Sequence, residues 1–442
     1  MYKIIPFLFL GGILYSPAQE VDLHAAIEIA KIKNKSLQNA ETEINIARQK
    51  RRETIAIGLP QVSISAGYNN ALKQPISIIP AEFFGGNPGE FNEVIFGTEQ
   101  SANAGVRLEQ LIFDGSYLVG LQASEIYLLI SEQAYIKTQQ VITQATVDAY
   151  VNTLLAKAQV EILKQNLTIA EENLSEIKVV FENGLAEEES VQQLQLTFSS
   201  LKSSLTYSKQ MAVIAKNVLR YVMGLELDAP LTLSSTLEGL ALESQLEDIN
   251  PLSIENNIDY QIAQNNIRTK ELLLKLERFK SLPKLSAYLS GGYDGYNQEF
   301  NFTQPDQDWF GRASFGLNLS FPVFSSFQSQ ARRQQARLAL EQSKNQAENK
   351  VQELILEESR LRSLVRLNLQ NLKTMAENLS LASEIERKNR IKFKEGLVSG
   401  FMLRQAQNQL YDAQNDYLTA MQQLVVSKTS LSLLLNPITP EK

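Results

Sequence analysis

The titratable side chains of this sequence are arranged to steer charge rather than to break bonds. Glu187, Glu188 and Glu189 form an unbroken acidic run just after a glycine. Acids at a helix start complement its dipole, and gathered from several chains they would attract cations. Arg107 and Glu109 stand two apart in an alternating segment, so a strand would turn both to one face. Groups that carry bond chemistry are absent or isolated: there is no cysteine, and His24 is the single histidine. No histidine or cysteine metal site can be assembled, and the serines lack a base partner. Gly11-Gly12, Gly85-Gly86 and Gly291-Gly292 have no phosphate-loop context. The sequence predicts no enzyme, no cofactor and no metal.

The elements that would position these charges are written twice. Phe181-Glu182-Asn183-Gly184-Leu185 returns as Phe393-Lys394-Glu395-Gly396-Leu397. Each pentad precedes an apolar ladder stepping three and four residues, from Val191 to Val222 and from Leu403 to Leu434, and the two ladders keep a constant offset of 212. A sustained spacing of about 3.5 residues is a coiled-coil seam. Its duplication at fixed offset predicts an internal repeat of whole structural units.

The opening residues read as a secretory signal peptide over 1–18, with Lys3, an apolar run from Ile4 to Leu14 and small residues at Ser16-Pro17-Ala18. A first repeat follows over 19–224. It comprises a helix at 22–57, strands at 59–70 and 101–114 around a polar, Phe-rich loop, a long helix at 116–182 and a return helix at 187–223. An inter-repeat equatorial segment fills 225–249. The second repeat, 250–436, holds a helix at 251–281 opened by Pro251, strands at 283–293 and 311–324, a long helix at 326–395 and a return helix at 399–435. A tail ends the chain at 437–442.

Each alternating segment has the length a tilted strand needs to cross a bilayer, about 10–12 residues, with one apolar and one polar face. Ser314 and Asn318 join Arg107 and Glu109 on the polar side. Backbone groups in lipid must all be paired, so the sheet must close. Four strands cannot close, and about eight is the smallest barrel that fills its own interior. Three chains would supply twelve. The long helices, each a rod of about 100 Å, would continue the wall away from the membrane beside shorter stacked helices. The fold expected is an α+β membrane protein: a trimeric twelve-stranded β-barrel, four strands per chain, continued by a periplasmic α-helical coiled-coil barrel. The net charge of −7 argues against nucleic acid. Tyr68, Tyr288, Tyr293, Trp309 and Phe315 are candidates for interfacial aromatic girdles, although the alternation of its strand puts Tyr288 on the polar side. Lys50-Arg51-Arg52 and Arg332-Arg333 read as solvated helix faces below the barrel.

The aromatic-x-x-Gly tip of Phe393 and Gly396 with Ala406-Gln407 beyond it, the strand end Leu111-Ile112-Phe113-Asp114-Gly115, and the duplicated helix-strand-strand-helix order resemble the TolC-like outer-membrane efflux proteins. The resemblance covers essentially the whole mature chain. It implies a homotrimer in outer-membrane lipid of a Gram-negative bacterium with a large periplasmic part. It further implies an exit channel for efflux or type I secretion, docked on a periplasmic adaptor (membrane fusion) protein and an inner-membrane transporter. The adaptor-contacting tips would be Gly184, Leu185, Ala186, Gly396, Leu397 and Val398. Family members often narrow the pore with acids after the second tip. Here that stretch reads Met402-Leu403-Arg404-Gln405, so an entrance constriction would fall to Glu187, Glu188, Glu189, Arg404 and Gln405. The contrasting reading is a secreted soluble coiled-coil scaffold or adhesin with ordinary exposed hairpins.

Overall fold

A computed structural model describes residues 20–243 and 251–435. The expected leader, the end of the inter-repeat segment and the tail lie outside the described residues. In chain order the elements are β1 (Glu20–Val21), α1 (Leu23–Lys33), α2 (Lys35–Ala56), β2 (Gln61–Asn70), β3 (Ile76–Pro80), a 3-10 turn (Ala81–Phe84), β4 (Phe91–Ile95) and β5 (Gln100–Phe113). They continue with α3 (Gly115–Glu182), α4 (Glu188–Val222), β6 (Thr232–Leu233), α5 (Leu237–Glu243), α6 (Ile258–Phe279), β7 (Lys284–Asn297), β8 (Trp309–Ser320), α7 (Gln328–Lys394) and α8 (Gly400–Leu435). Among the described residues, no helix is long and apolar enough to cross a membrane.

The chain divides into two compact units, and each draws on both repeats. The first holds the described residues of 1–44, 131–264 and 346–442. Its core gathers Ala26, Ala30, Tyr150, Leu219, Met223 and Leu418. Tyr150 is fully buried, and its hydroxyl donates to the Val21 carbonyl at 2.8 Å. That bond anchors β1, which pairs in parallel with β6. The apolar ladders supply much of the rest: Leu194, Leu201, Leu205 and Leu219 of α4 are buried, as are Leu403, Ala406, Leu424 and Leu431 of α8.

The second unit holds 45–130 and 265–345, and its centre is a sheet in the order β2-β5-β7-β8, antiparallel throughout. Among the described residues, the outer edges of β2 and β8 have no strand partner. A separate two-stranded sheet, β3 with β4, stands in the stretch expected as a loop.

Several expected boundaries are corrected. The helix expected at 22–57 is broken at Asn34, whose backbone is extended. Its side chain accepts from Ser36 N–H at 2.9 Å and donates to the Val222 carbonyl at 2.7 Å, so it ends one helix and caps the next. Pro251 does not open a helix. Asn257 caps α6 instead, accepting from Asp259 N–H at 2.9 Å. The strand expected to reach 324 stops at Ser320, ahead of Pro322, which has no amide to give a ladder. Asp114 caps α3 at 2.7 Å, whereas the matching Ser325 makes a 3.4 Å contact behind left-handed Ser326 and Phe327. The second copy thus enters its long helix through a strained turn where the first uses an aspartate cap.

Candidate functional site

In the sheet unit, cross-strand register decides which side chains share a face. The rows Val62–Leu108–Leu289–Phe315 and Ile64–Val106–Gly291–Ala313 fall on one face. That face is apolar and bare: Ile64 is 79 % exposed and Phe315 70 %. One residue along, the rows Ser63–Arg107–Ser290–Ser314 and Gln61–Glu109–Tyr288–Gly316 fall on the other. Arg107, Glu109, Ser314 and Asn318 are therefore together on the polar face, Asn318 opposite Ser286.

The polar face is knitted by its own side chains. The hydroxyls of Ser290 and Ser314 lie 2.8 Å apart, Arg312 pairs with Asp294 at 2.8 Å, and Arg107 approaches Glu109 at 3.8 Å. Such exposed pairs contribute little stability, about 0–1 kcal/mol each. Their effect is to hold charge at fixed places on a wet wall. Tyr288 belongs here, on the side its alternation with Leu285, Ala287 and Leu289 assigns it, and not to a lipid girdle. Its ring lies across Gly316, where an added β-carbon would come within 2.6 Å, and the Arg107 guanidinium stacks above it at 4.2 Å. Only a residue without a side chain at position 316 lets the ring lie flat. At the far end of the apolar face, Tyr68 meets Phe300 and Phe302 at 5.4 and 5.9 Å, and Phe302 meets Trp309 at 6.2 Å. Phe300 and Phe302 come from a connection whose sequence carries no alternation, so pattern reading missed them. The basic clusters sit on exposed helix faces, Arg51 pairing with Glu125 at 2.9 Å.

In the helical unit the two tips close in the same way. Gly184 and Gly396 are left-handed, at φ 75° and 69°. Leu185 N–H reaches back to the Val180 carbonyl at 3.0 Å, and Leu397 N–H to that of Lys392 at 2.8 Å. These are Schellman closures, each placing an apolar residue just past the glycine. Leu185 is 80 % exposed and Leu397 73 %. Leu185, Ala186, Gly396 and Val398 line one small cavity, and Lys394 ties the hairpins together by pairing with Glu176 at 3.3 Å.

The charged candidates near the tips separate. Glu187 is the N-cap residue of α4 without a side-chain bond to the backbone. Glu188 and Glu189 accept from Gln192 and Gln193 at 3.0 and 2.9 Å along their own helix. Arg404 lines a different feature, a polar groove between α3, α4 and α8 that also presents Asn166, Tyr411, Asp412 and Asn415. Gln405 is exposed. Two residues on, Gln407 is fully buried with neither amide atom bonded. Nearby in sequence Tyr411 has an unbonded hydroxyl whose pKa burial pushes well up, with the Glu386 charge adding to the rise. Burial also raises the Glu386 carboxyl, against the pull of Arg390. Helix phase was the available signal: Gln407 follows ladder position Ala406 and turns inward with it.

A family model described as outer membrane efflux protein matches residues 26–225 and 251–437, one segment per repeat. Outer membrane protein TolC of Vibrio cholerae is 23 % identical over 77 % of this chain and 74 % of its own. The alkaline protease secretion protein AprF of Pseudomonas aeruginosa is 23 % identical over 72 % of this chain and 67 % of its own. Among solved structures, a membrane protein from Pseudomonas aeruginosa superposes with a TM-score of 0.75 at 17 % identity, covering 94 % of this chain and 93 % of that one.

Proposed function

The chain belongs to the outer membrane efflux protein family, and on that premise we propose that it is a passive exit duct through which an inner-membrane transporter drives drugs, ions or polypeptides out of the cell. It is an outer-membrane protein with a large periplasmic part. The observation that carries the reading is the sheet: one apolar face largely exposed, one polar face and two open edges. An exposed apolar face of this size calls for lipid, and open edges in lipid call for further strands. Three copies pairing β2 of one with β8 of the next give twelve strands around a wet lumen lined by Arg107, Glu109, Ser314 and Asn318.

The helices support the same assembly. Tyr207, Ile214, Val218 and Tyr221 form an exposed stripe on α4, at steps of seven, four and three, away from its buried ladder. Such a stripe is a seam awaiting another helix. Leu185 and Leu397 then present three pairs of apolar knobs to a periplasmic adaptor, with Ala186 and Val398 beneath them. Glu187, Glu188 and Glu189 from three chains set nine carboxylates about the entrance, while Arg404 serves a separate polar groove and Gln405 stands exposed on α8.

The test is single-channel recording in planar bilayers with protein extracted from outer membranes. Cation-preferring conductance from a trimer supports the duct, and its cation preference falls when the three glutamates become glutamine. A detergent-free, soluble and fully folded chain refutes the duct and favours the secreted-scaffold reading. Leu185→Asp with Leu397→Asp is expected to abolish export while leaving conductance intact, which separates docking from conduction.

A further inference from the structure

The polar groove of the helical unit has no part in the duct as described. It encloses about 560 Å³ between α3, α4 and α8. Small-ligand sites have this size, about 300–1,000 Å³. Two amide pairs between α3 and α8 fix its width, Gln159 with Asn415 at 2.8 Å and Asn166 with Gln414 at 3.0 Å. From α4 it is lined by Ser200, Ser204 and Ser208, one row on the helix surface. Their short side chains leave open the space that longer ones would fill. The groups that face this space lack partners. Among the described residues Arg404 makes no ion pair, and its guanidinium rests against the Phe401 ring at 5.5 Å. Asp412, about 12 Å further along α8, makes no ion pair either. The Asn408 amide between them and the three serine hydroxyls are also without partners among the described residues. The Tyr411 hydroxyl is buried and unbonded.

These groups select the ligand. An apolar molecule would cover the guanidinium and the hydroxyls and leave them unpaired, which is unfavourable. A lone anion would serve Arg404 and leave Asp412 bare, and a lone cation the reverse. A dipolar chain with its carboxylate and ammonium about 12 Å apart satisfies both. An extended peptide spans at most about 3.3–3.6 Å per residue, so three or four residues fit. Each peptide group brings one donor and one acceptor, which the Asn408 amide and the serine and tyrosine hydroxyls can meet. We propose that the groove binds a short zwitterionic peptide of three or four residues, its carboxylate on Arg404 and its ammonium on Asp412. The planar fork of an arginine takes a carboxylate through two parallel hydrogen bonds. The groove is complete within one chain and does not depend on the trimeric barrel.

The probe is tetraalanine, titrated calorimetrically into the full chain in detergent beside its N-acetylated and C-amidated forms. The free peptide is expected to bind, and either cap to weaken binding roughly tenfold or more. Arg404→Gln is expected to bind free and amidated peptide equally weakly while still discriminating against the acetylated form. Asp412→Asn is expected to bind free and acetylated peptide equally weakly while still discriminating against the amidated form. Each variant thus loses sensitivity to one end alone, which a general loss of folding would not produce. Absence of binding by the wild-type chain up to about 10 mM peptide overturns the inference, and a neighbouring copy seated in the groove would give that result. Binding that neither cap alters, or variants that lose sensitivity to both ends at once, overturn it too. Conductance reads the duct separately: end-specific binding by a chain that does not conduct refutes the duct alone.

Discussion

Ile64→Arg and Ser65→Arg place the same charge one residue apart on β2, on opposite faces of the sheet. Ile64 is 79 % exposed, so in a water-soluble protein its replacement would change stability by no more than about 0.5 kcal/mol. In a barrel wall it sits near mid-strand facing hydrocarbon, where an arginine costs about 2–4 kcal/mol. At 1.36 kcal/mol per tenfold, that is a factor of roughly 30 to 900 in the assembly equilibrium of each chain, applied in all three. Ser65→Arg faces the water-filled side and is expected to assemble as wild type. The assay is the yield of outer-membrane trimer at equal expression, followed by urea titration of refolded protein in lipid vesicles. Equal trimer yield and equal urea midpoints for the two variants would refute the membrane-facing assignment of the apolar rows.

Other perturbations read separate parts of the molecule. Gly396→Ala meets no atom within 4 Å, so its effect is conformational alone: roughly 1–2 kcal/mol from the left-handed backbone, seen as faster hydrogen exchange at 392–398. Tyr150→Phe removes a buried bond to Val21 and is expected to destabilise the helical unit by about 1–2 kcal/mol in thermal melts. Glu386 and Glu384 predict opposite pH behaviour. Burial raises the Glu386 carboxyl, so its ionisation weakens the fold as pH rises from the unfolded carboxylate range toward its raised native value, and Glu386→Gln removes that loss. Hydrogen bonds from Arg387 and Lys388 hold Glu384 down at about 2, so its contribution is present above the ordinary glutamate range and fades as pH falls toward 2. Hydrogen exchange of α7 across pH 2–7 in the two Glu→Gln variants checks both signs.

The sequence made the periodic elements plain. The ladders of α4 and α8 show because a seam must repeat to pack, and the two faces of β2 and β5 show because alternation is what separates lipid from water. Local chemistry that overrides period was harder to read. Asn34 breaks a helix by bonding to a carbonyl 188 residues away, a partner no window reveals. Pro251 reads as a helix start, whereas the fold opens the helix at Asn257, whose side chain caps it. The β3–β4 hairpin is interrupted by Pro and Gly and holds mixed faces, so it looked like loop. At the tips the glycines were legible because termination chemistry is local. The burial of Glu386 was not, since it depends on which helices lie opposite.

That each compact unit takes strands or helices from both repeats has a historical corollary. Each repeat supplies two of the four strands of the central sheet, one long helix and one return helix. Before the doubling, the same twelve-stranded wall would have needed six identical subunits. Fusion into tandem copies turned a sixfold ring into a threefold one and freed its two half-sites to drift apart. The aspartate cap at one long-helix entrance and the strained serine turn at the other are a trace of that freedom.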